Sequence, residues 1–198
     1  MYKKYIKRIL DLLLAIVALP FLLLVCMIFA PLIWLEDRGS VFYLAKRRGV
    51  NGSIFNMYKL RSMKMNAPDI RNEDNSTYNS EDDARVTRVG KLLRKTSIDE
   101  LPQIFNILRG EMSWIGPRPI TIDRPLEDYD QKRVDRLKVK PGITGYAQAM
   151  YRNNIAQEDK LKLDAEYAKN VSLVLDIKIL FRTIVTVLLR KNIYSKNF

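Results

Sequence analysis

Two adjacent carboxylates, Asp99 and Glu100, are the residues of this chain best suited to chemistry. They closely precede Pro102, which lacks an N–H and therefore fits a helix only in its first turn. The sequence predicts a helix that starts near Asp99 or Glu100 and continues through the apolar residues 104–108. Carboxylates at the positive end of a helix keep their charge, which suits an anionic nucleophile, a metal ligand or both.

The same residues have an ordinary structural interpretation. Ser97 and Glu100 form the pattern S-x-x-E, a capping box that stabilises many helices without a catalytic role. Acidic residues are also common in a first helical turn. The dyad alone therefore leaves capping and catalysis open.

Positive charge surrounds the dyad in the sequence. Gly116-Pro117-Arg118-Pro119 fixes the backbone around Arg118, which lowers the entropy cost of holding its guanidinium. The planar fork of arginine recognises phosphate, although a rigid turn with an exposed arginine would have the same sequence. Upstream of the dyad the basic residues are Arg85, Arg88, Lys91, Arg94 and Lys95.

The composition of the 198 residues limits the chemistry. The formal charge of +12 points to an anionic partner such as phosphate, anionic lipid or nucleic acid. Because there is no histidine, catalysis must use carboxylate, Lys, Tyr or Arg side chains. The single cysteine, Cys26, lies in an apolar run, so an intrachain disulfide and a Cys/His zinc site are excluded.

Residues 12–35 contain no charged side chain and would form a helix of about 36 Å, enough to cross a bilayer. Basic residues lie on both sides of this run, and the positive-inside rule would keep both flanks cytoplasmic. Pro20, near the middle, interrupts the hydrogen-bond ladder and could turn the helix back, but proline kinks also occur in spanning helices. These features leave a re-entrant hairpin and a spanning helix open.

The remaining pattern predicts a mostly α fold with one small β-hairpin (α+β). The hairpin covers residues 41–63 around Asn51-Gly52 and carries Lys59, which either binds phosphate or lies on a solvated edge. Gly142 and Gly145 would let a backbone approach a ligand closely. We also expect a mobile polar loop at 66–83, helices at 126–139 and 161–167, and an amphipathic helix at 173–190 that lies in the membrane interface or in the core.

Together the motifs resemble the core signature of the bacterial sugar transferases, which are monotopic phosphoglycosyl transferases. The resemblance covers nearly the whole chain, and the single apolar segment is similar to that of the small members. The matching residues are Asp83-x-Arg85-x-Thr87-x-x-Gly90-x-x-Leu93-Arg94-x-x-Ser97-x-Asp99-Glu100-Leu101-Pro102-Gln103-x-x-Asn106-x-x-x-Gly110-x-Met112-Ser113-x-x-Gly116-Pro117-Arg118-Pro119, with Lys59-x-Arg61-Ser62-Met63 before them and Pro141-Gly142-Ile143-Thr144-Gly145 after them.

The resemblance implies an enzyme on the cytoplasmic face of the inner membrane. It would transfer a phospho-sugar from a UDP-sugar to a polyprenyl (undecaprenyl) phosphate and release UMP, the first membrane step of a glycoconjugate pathway. Residues 1–38 would form a re-entrant membrane helix, and residues 39–198 a catalytic domain with interfacial helices. One departure is Leu19, since the small members often have a serine before the proline that breaks this helix.

The resemblance also implies roles for single residues. Asp99 would be the nucleophile, forming an acyl-phosphate with the sugar phosphate, and a ligand of a Mg²⁺ cofactor. Glu100 would place the acceptor or the metal. Arg118 would hold the nucleotide diphosphate and Arg94 the polyprenyl phosphate, with Lys59 as a further phosphate contact.

Two other classes of protein would share the charge of this chain. A non-catalytic scaffold on the membrane surface explains the basic residues and amphipathic helices, but not the dyad among arginines. A nucleic-acid partner is not expected, because the sequence has no helix-turn-helix pattern or aromatic stacking platform. A homodimer is compatible with the sequence, which does not identify the sugar.

Overall fold

The computed structural model describes residues 1–70, 78, 80, 82–151 and 155–188. The fold is mostly helical with two small sheets, in agreement with the predicted class. The helices are α1 (Lys7–Asp37), α2 (Arg88–Thr96), α3 (Gln103–Arg109), α4 (Gln131–Arg136), α5 (Tyr146–Tyr151), α6 (Gln157–Lys169) and α7 (Leu173–Leu188). The strands are β1 (Phe42–Arg48), β2 (Ile54–Leu60), β3 (Ser113–Ile115), β4 (Ile120–Thr121) and β5 (Gly142–Thr144).

The predicted β-hairpin is confirmed. Strands β1 and β2 are antiparallel, with Phe42 opposite Leu60 and Arg48 opposite Ile54. Asn51 and Gly52 both have positive φ, as a tight Asn-Gly turn requires. Strand β4 pairs with the other edge of β1, while β3 and β5 form a separate parallel pair.

Helix α1 packs along the rest of the protein with one face. Its buried residues lie on one stripe. The apolar ones belong to two hydrophobic clusters, one shared with β1, β2 and α3 and the other with the end of β2 and α2. The buried positions are Asp11, Ala15, Leu22, Val25 and Ile33. Many of its other apolar side chains are exposed, and the helical segment Tyr2–Asp37 is long and apolar enough to cross a membrane.

The N-terminal end of α1 is also held by polar contacts. The Asp11 carboxylate accepts hydrogen bonds from the Ser113 hydroxyl (2.9 Å) and the Trp114 N–H (3.1 Å). On α7, Asp176 accepts from the Tyr2 and Tyr167 hydroxyls and pairs with Lys7 at 2.6 Å. These contacts join α1 to β3 and α7, and the division at residue 38 stays a prediction.

The other predicted elements agree with the structure to different degrees. The helix expected at 126–139 is shorter than predicted. Tyr129 has an extended backbone, and α4 begins after Asp130, which caps the helix by accepting a hydrogen bond from the Arg133 N–H. Half of the loop expected at 66–83 lies outside the described residues, namely residues 71–77, 79 and 81. The helix predicted at 161–167 is confirmed and lies within α6. Helix α7 exposes an apolar face that consists of Leu173, Val174, Ile177, Leu180, Phe181 and Ile184.

The pattern Asp83-x-Arg85-x-Thr87-x-x-Gly90 has a structural explanation. Asp83 and Arg85 form a buried ion pair at 2.7 Å, and Thr87 caps α2 by accepting a hydrogen bond from the Gly90 N–H. A Cβ on residue 90 would lie 2.0 Å from the backbone oxygen of Ser62. Glycine there lets α2 approach the segment that follows β2.

Gly90→Ala should therefore destabilise the protein although alanine is the better helix former. Because the clash is with backbone rather than a flexible side chain, we expect a loss of about 2 kcal/mol, or about 4–8 °C in Tm by thermal denaturation. Lys91→Ala, at an exposed site on the same helix, is the control and should leave Tm nearly unchanged. Equal Tm values for both variants would contradict this explanation.

Candidate active site

The carboxylate dyad lies in a short 3₁₀ turn, Ile98–Glu100, between α2 and α3. The predicted helix start near Asp99 or Glu100 is wrong: Pro102 is the N-cap residue and α3 begins at Gln103. Ser97 adopts a left-handed conformation (φ 60°) that ends α2, and its side chain makes no capping hydrogen bond. The capping box therefore does not form, which leaves both carboxylates available to the site.

Glu100 is held by two cations. Its Oε1 atom accepts hydrogen bonds from Lys59 Nζ at 2.7 Å and from Arg118 Nη2 at 3.4 Å. Burial alone would raise the pKa of Glu100, but the charges of Lys59 and Arg118 outweigh it and lower the pKa to about 2. Glu100 is thus a charged side chain that holds both cations by hydrogen bonds.

Asp99 has the opposite electrostatic balance. Its Oδ2 atom lies 4.0 Å from Lys59 Nζ, and the residue is 8% exposed. Burial raises the pKa of Asp99 to about 6, with a further increase from the charge of Glu100, while Lys59, Arg94 and Arg118 only partly oppose it. Of the two carboxylates, Asp99 is the one whose charge lacks full compensation.

Lys59 is placed by its strand. It lies near the end of β2, which α3 holds through the fully buried side chain of Asn106. The Asn106 amide accepts a hydrogen bond from the Tyr58 N–H at 3.0 Å and donates one to the Asn56 carbonyl at 2.7 Å. Asn106 therefore fixes β2 against the helix that follows the dyad.

Arg118 is positioned through its backbone. Its carbonyl accepts a hydrogen bond from Arg136 Nη2 at 2.6 Å, and Arg136 forms a buried ion pair with Asp164 at 2.6 Å. The Arg118 side chain stays 56% exposed and reaches Glu100 from outside. The sequence did not identify Arg136 or Asp164, because nothing in an amphipathic pattern distinguishes a buried charge from the surface charges beside it.

Arg94 approaches the site from α2. Its Nε atom donates a hydrogen bond to the Ser62 hydroxyl at 3.1 Å. Its positive charge lowers the pKa of Asp99 and so opposes the effect of burial. Ser62 was not assigned a role from the sequence, although it lies in the stretch after Lys59. Among the other upstream basic residues, Arg85 pairs with Asp83, whereas Arg88, Lys91 and Lys95 are exposed. The structure thus brings together all five predicted site residues, Lys59, Arg94, Asp99, Glu100 and Arg118.

A sequence profile described as bacterial sugar transferase matches residues 2–190. The chain belongs to this family. Galactosyl transferase CpsE of Streptococcus agalactiae serotype III is 42% identical over 92% of the chain. Exopolysaccharide production protein ExoY of Rhizobium meliloti is 40% identical over 95% of the chain, and undecaprenyl-phosphate galactose phosphotransferase of Salmonella typhimurium is 38% identical over 96%. The match covers 88% of ExoY but 42% of CpsE and of the Salmonella protein, so the chain spans less than half the length of those two relatives.

One glycine pattern of this bacterial sugar transferase has a different role from the one predicted. A Cβ on Gly142 or Gly145 would lie 2.1 Å from backbone atoms of Gly116. These glycines therefore let two backbone segments approach each other, rather than a ligand. Their contact sets the position of the chain that leads into Pro117 and Arg118.

The pKa of Asp99 predicts how charge affects the stability of the transferase. An unfolded aspartate has a pKa of about 3.9, so the folded protein binds this proton more tightly and loses stability as pH rises from about 4 to 6. Asp99→Asn, which stays neutral, should be more stable than wild type by about 1–3 kcal/mol at pH 7, with the difference shrinking toward pH 4.

Thermal denaturation in detergent across pH 4.5–7.5, a range of about 3 units around the shifted pKa, measures this difference. Glu100→Gln is the control of opposite sign. Because the pKa of Glu100 is lowered in the folded protein, its charged carboxylate stabilises the fold at any pH above the pKa of an unfolded glutamate. Glu100→Gln should therefore lower Tm at pH 7. A destabilised Asp99→Asn variant would contradict the electrostatic account of the dyad.

Proposed function

We propose that this bacterial sugar transferase transfers a phospho-sugar from a UDP-sugar to a polyprenyl phosphate, such as undecaprenyl phosphate, and releases UMP. The observation that carries the proposal is the contrast within the dyad. The Glu100 carboxylate is hydrogen-bonded to two cations, whereas the Asp99 carboxylate makes no hydrogen bond within the described part of the chain and has a raised pKa. A carboxylate with a pKa of about 6 is ionised at pH 7 and can act as a nucleophile without a general base.

The reaction takes place in two displacements. An Asp99 carboxylate oxygen attacks the β-phosphorus of the UDP-sugar, and the bond from that phosphorus to the bridging oxygen breaks, so that UMP leaves with the electron pair. The product is an aspartyl phospho-sugar. A phosphate oxygen of the polyprenyl phosphate then attacks the same phosphorus, which breaks the aspartyl–phosphorus bond, restores the carboxylate and yields a polyprenyl-diphospho-sugar.

The surrounding cations make the approach of two anions feasible. A unit charge pair 4 Å apart repels by about 4 kcal/mol at an effective dielectric of 20. Arg118, exposed and fixed through its backbone, would hold the diphosphate of the donor, with Lys59 beside it. Arg94, on the side of α2, would hold the phosphate of the acceptor. Glu100 would keep Lys59 and Arg118 in place.

The residues also fit the expected Mg²⁺. Magnesium commonly binds through one or two carboxylates plus phosphate oxygens and waters, and it would neutralise charge on the diphosphate. Asp99 is a carboxylate whose charge is incompletely compensated, so it would hold the metal together with the donor. No group of three or more His, Cys, Asp and Glu side chains that could hold a metal ion occurs among the described residues.

We further propose that α1 is re-entrant and that the site faces the cytoplasm at the inner membrane. In support, both ends of α1 contact the same body of the protein, Asp11 at β3 and Glu36 at α2. A helix that spans the bilayer would separate these contacts by the membrane. The exposed apolar faces of α1 and α7 would lie in the bilayer and its interface. A homodimer stays a prediction.

Incubation with donor alone should produce the covalent intermediate. The first donors to test are UDP-galactose, UDP-glucose and UDP-N-acetylgalactosamine, since relatives are named for these sugars. We expect intact mass spectrometry to show addition of one sugar phosphate, with release of one UMP, in the wild type but not in Asp99→Asn.

The matched control is Asp159→Asn, the same chemical change at an exposed carboxylate of α6, which should form the adduct normally. Full turnover by Asp99→Asn would refute the assignment of Asp99 as the nucleophile. If no UDP-sugar gives an adduct or releases UMP and the protein still binds anionic vesicles, the result would instead favour a non-catalytic scaffold on the membrane surface.

The topology of α1 can be tested with single cysteines placed at residue 2 and residue 40 in a Cys26→Ser background. A re-entrant helix predicts that a membrane-impermeant maleimide labels both positions in inverted inner-membrane vesicles and neither in intact spheroplasts. Labelling of the two positions from opposite sides would show that α1 spans the bilayer.

A further inference from the structure

The last turn of α1 contacts the helix that carries Arg94. The Glu36 carboxylate accepts hydrogen bonds from the backbone N–H groups of Arg88 (2.6 Å) and Val89 (3.2 Å), the first two residues of α2. The first N–H groups of a helix have no partner within it, and a carboxylate there also interacts favourably with the helix dipole. Glu36 therefore links the end of α1 to the start of α2.

The next residue, Asp37, reaches Arg94 by a second route. Its two carboxylate oxygens accept hydrogen bonds from Arg61 at 2.5 and 2.6 Å, and this hydrogen bonding lowers the pKa of Asp37 to about 2. Arg61 also donates to the carbonyl of Ile33, inside α1. The residue after Arg61 is Ser62, whose hydroxyl accepts the hydrogen bond from Arg94.

We propose that Glu36 and Asp37 are positioning residues for Arg94, so that the seating of α1 in lipid controls how well the site binds the phosphate of the acceptor. Glu36 is linked to Arg94 through the start of α2. Asp37 is linked to it independently, through Arg61 and the adjacent Ser62. The inference rests on the proposed role of Arg94 in the second displacement.

The surface of α1 next to these residues suits contact with lipid. Leu32, Trp34 and Leu35 are each between 44% and 56% exposed, and Arg38 lies over the Trp34 ring at 4.4 Å. Tryptophan beside a cation is typical of the boundary between lipid and water. A shift of this turn relative to the boundary would be passed to α2 by Glu36 and to Ser62 by Asp37 and Arg61.

The two half-reactions separate this role from a purely structural one. Formation of the aspartyl phospho-sugar uses only the donor, whereas Arg94 acts on the acceptor. We expect Glu36→Ala and Asp37→Ala to raise the KM for undecaprenyl phosphate about tenfold in lipid nanodiscs, while the rate of adduct formation from the UDP-sugar changes less than about twofold. Glu36→Gln, which keeps one acceptor oxygen, should restore the KM to within about threefold of the wild type.

Three further measurements complete the test. The Arg88 and Val89 amides should exchange with deuterium faster in Glu36→Ala than in the wild type. Arg94→Lys should itself raise the acceptor KM, and adding Glu36→Ala to it should raise KM little further, because both changes act on one contact. Ser172→Ala is the control: it removes a hydroxyl that accepts from the Leu175 N–H at the start of α7, and should leave the acceptor KM unchanged.

Each outcome distinguishes the inference from the proposed function. An unchanged acceptor KM in Glu36→Ala and Asp37→Ala, with normal adduct formation, would overturn the inference alone. Equal slowing of both half-reactions with a lower Tm would also overturn it, because it would show only a structural role. Absence of any adduct in the wild type would overturn the proposed function, and the inference with it.

Discussion

Two neighbouring carboxylates buried side by side are the constraint on which this site depends. Each would resist ionisation in a poorly solvated place, and the charge of Glu100 further raises the pKa of Asp99. The protein resolves the conflict unequally, since Lys59 and Arg118 bind Glu100 closely and leave Asp99 with weaker compensation. One carboxylate thus orders the cations, and the other is the one that we propose as the nucleophile.

Much of the scaffold serves to bring these cations together from distant parts of the chain. Lys59 comes on a strand that Asn106 fixes to α3, and Arg118 comes on a loop held by the buried pair of Arg136 and Asp164. Arg94 comes on a helix that approaches the hairpin closely because residue 90 is glycine. Each contact lies outside the dyad, yet each determines the field that Asp99 experiences.

Helix α1 has an unusual position among these supports. It is the most apolar segment of the chain, yet it supplies one side of two hydrophobic clusters and makes polar contacts near both ends. A segment that would otherwise serve only as an anchor is therefore part of the framework of the site. The helix that is long and apolar enough to enter a membrane is for this reason in direct contact with the elements that carry the candidate site.

The amino-acid sequence by itself determined the local features. Asn-Gly produced the hairpin, the charge-free run produced the long helix, and the signature around Asp99 indicated the family and, together with Lys59, the five residues that we propose for the site. Local patterns failed where two interactions competed: the S-x-x-E pattern suggested a capping box, but Lys59 and Arg118 hold the Glu100 carboxylate instead. Only the tertiary structure decided which carboxylate is charged most easily, why Gly142 and Gly145 are glycine, and which buried pair places Arg118, because burial and the approach of distant charges depend on segments far apart in the chain.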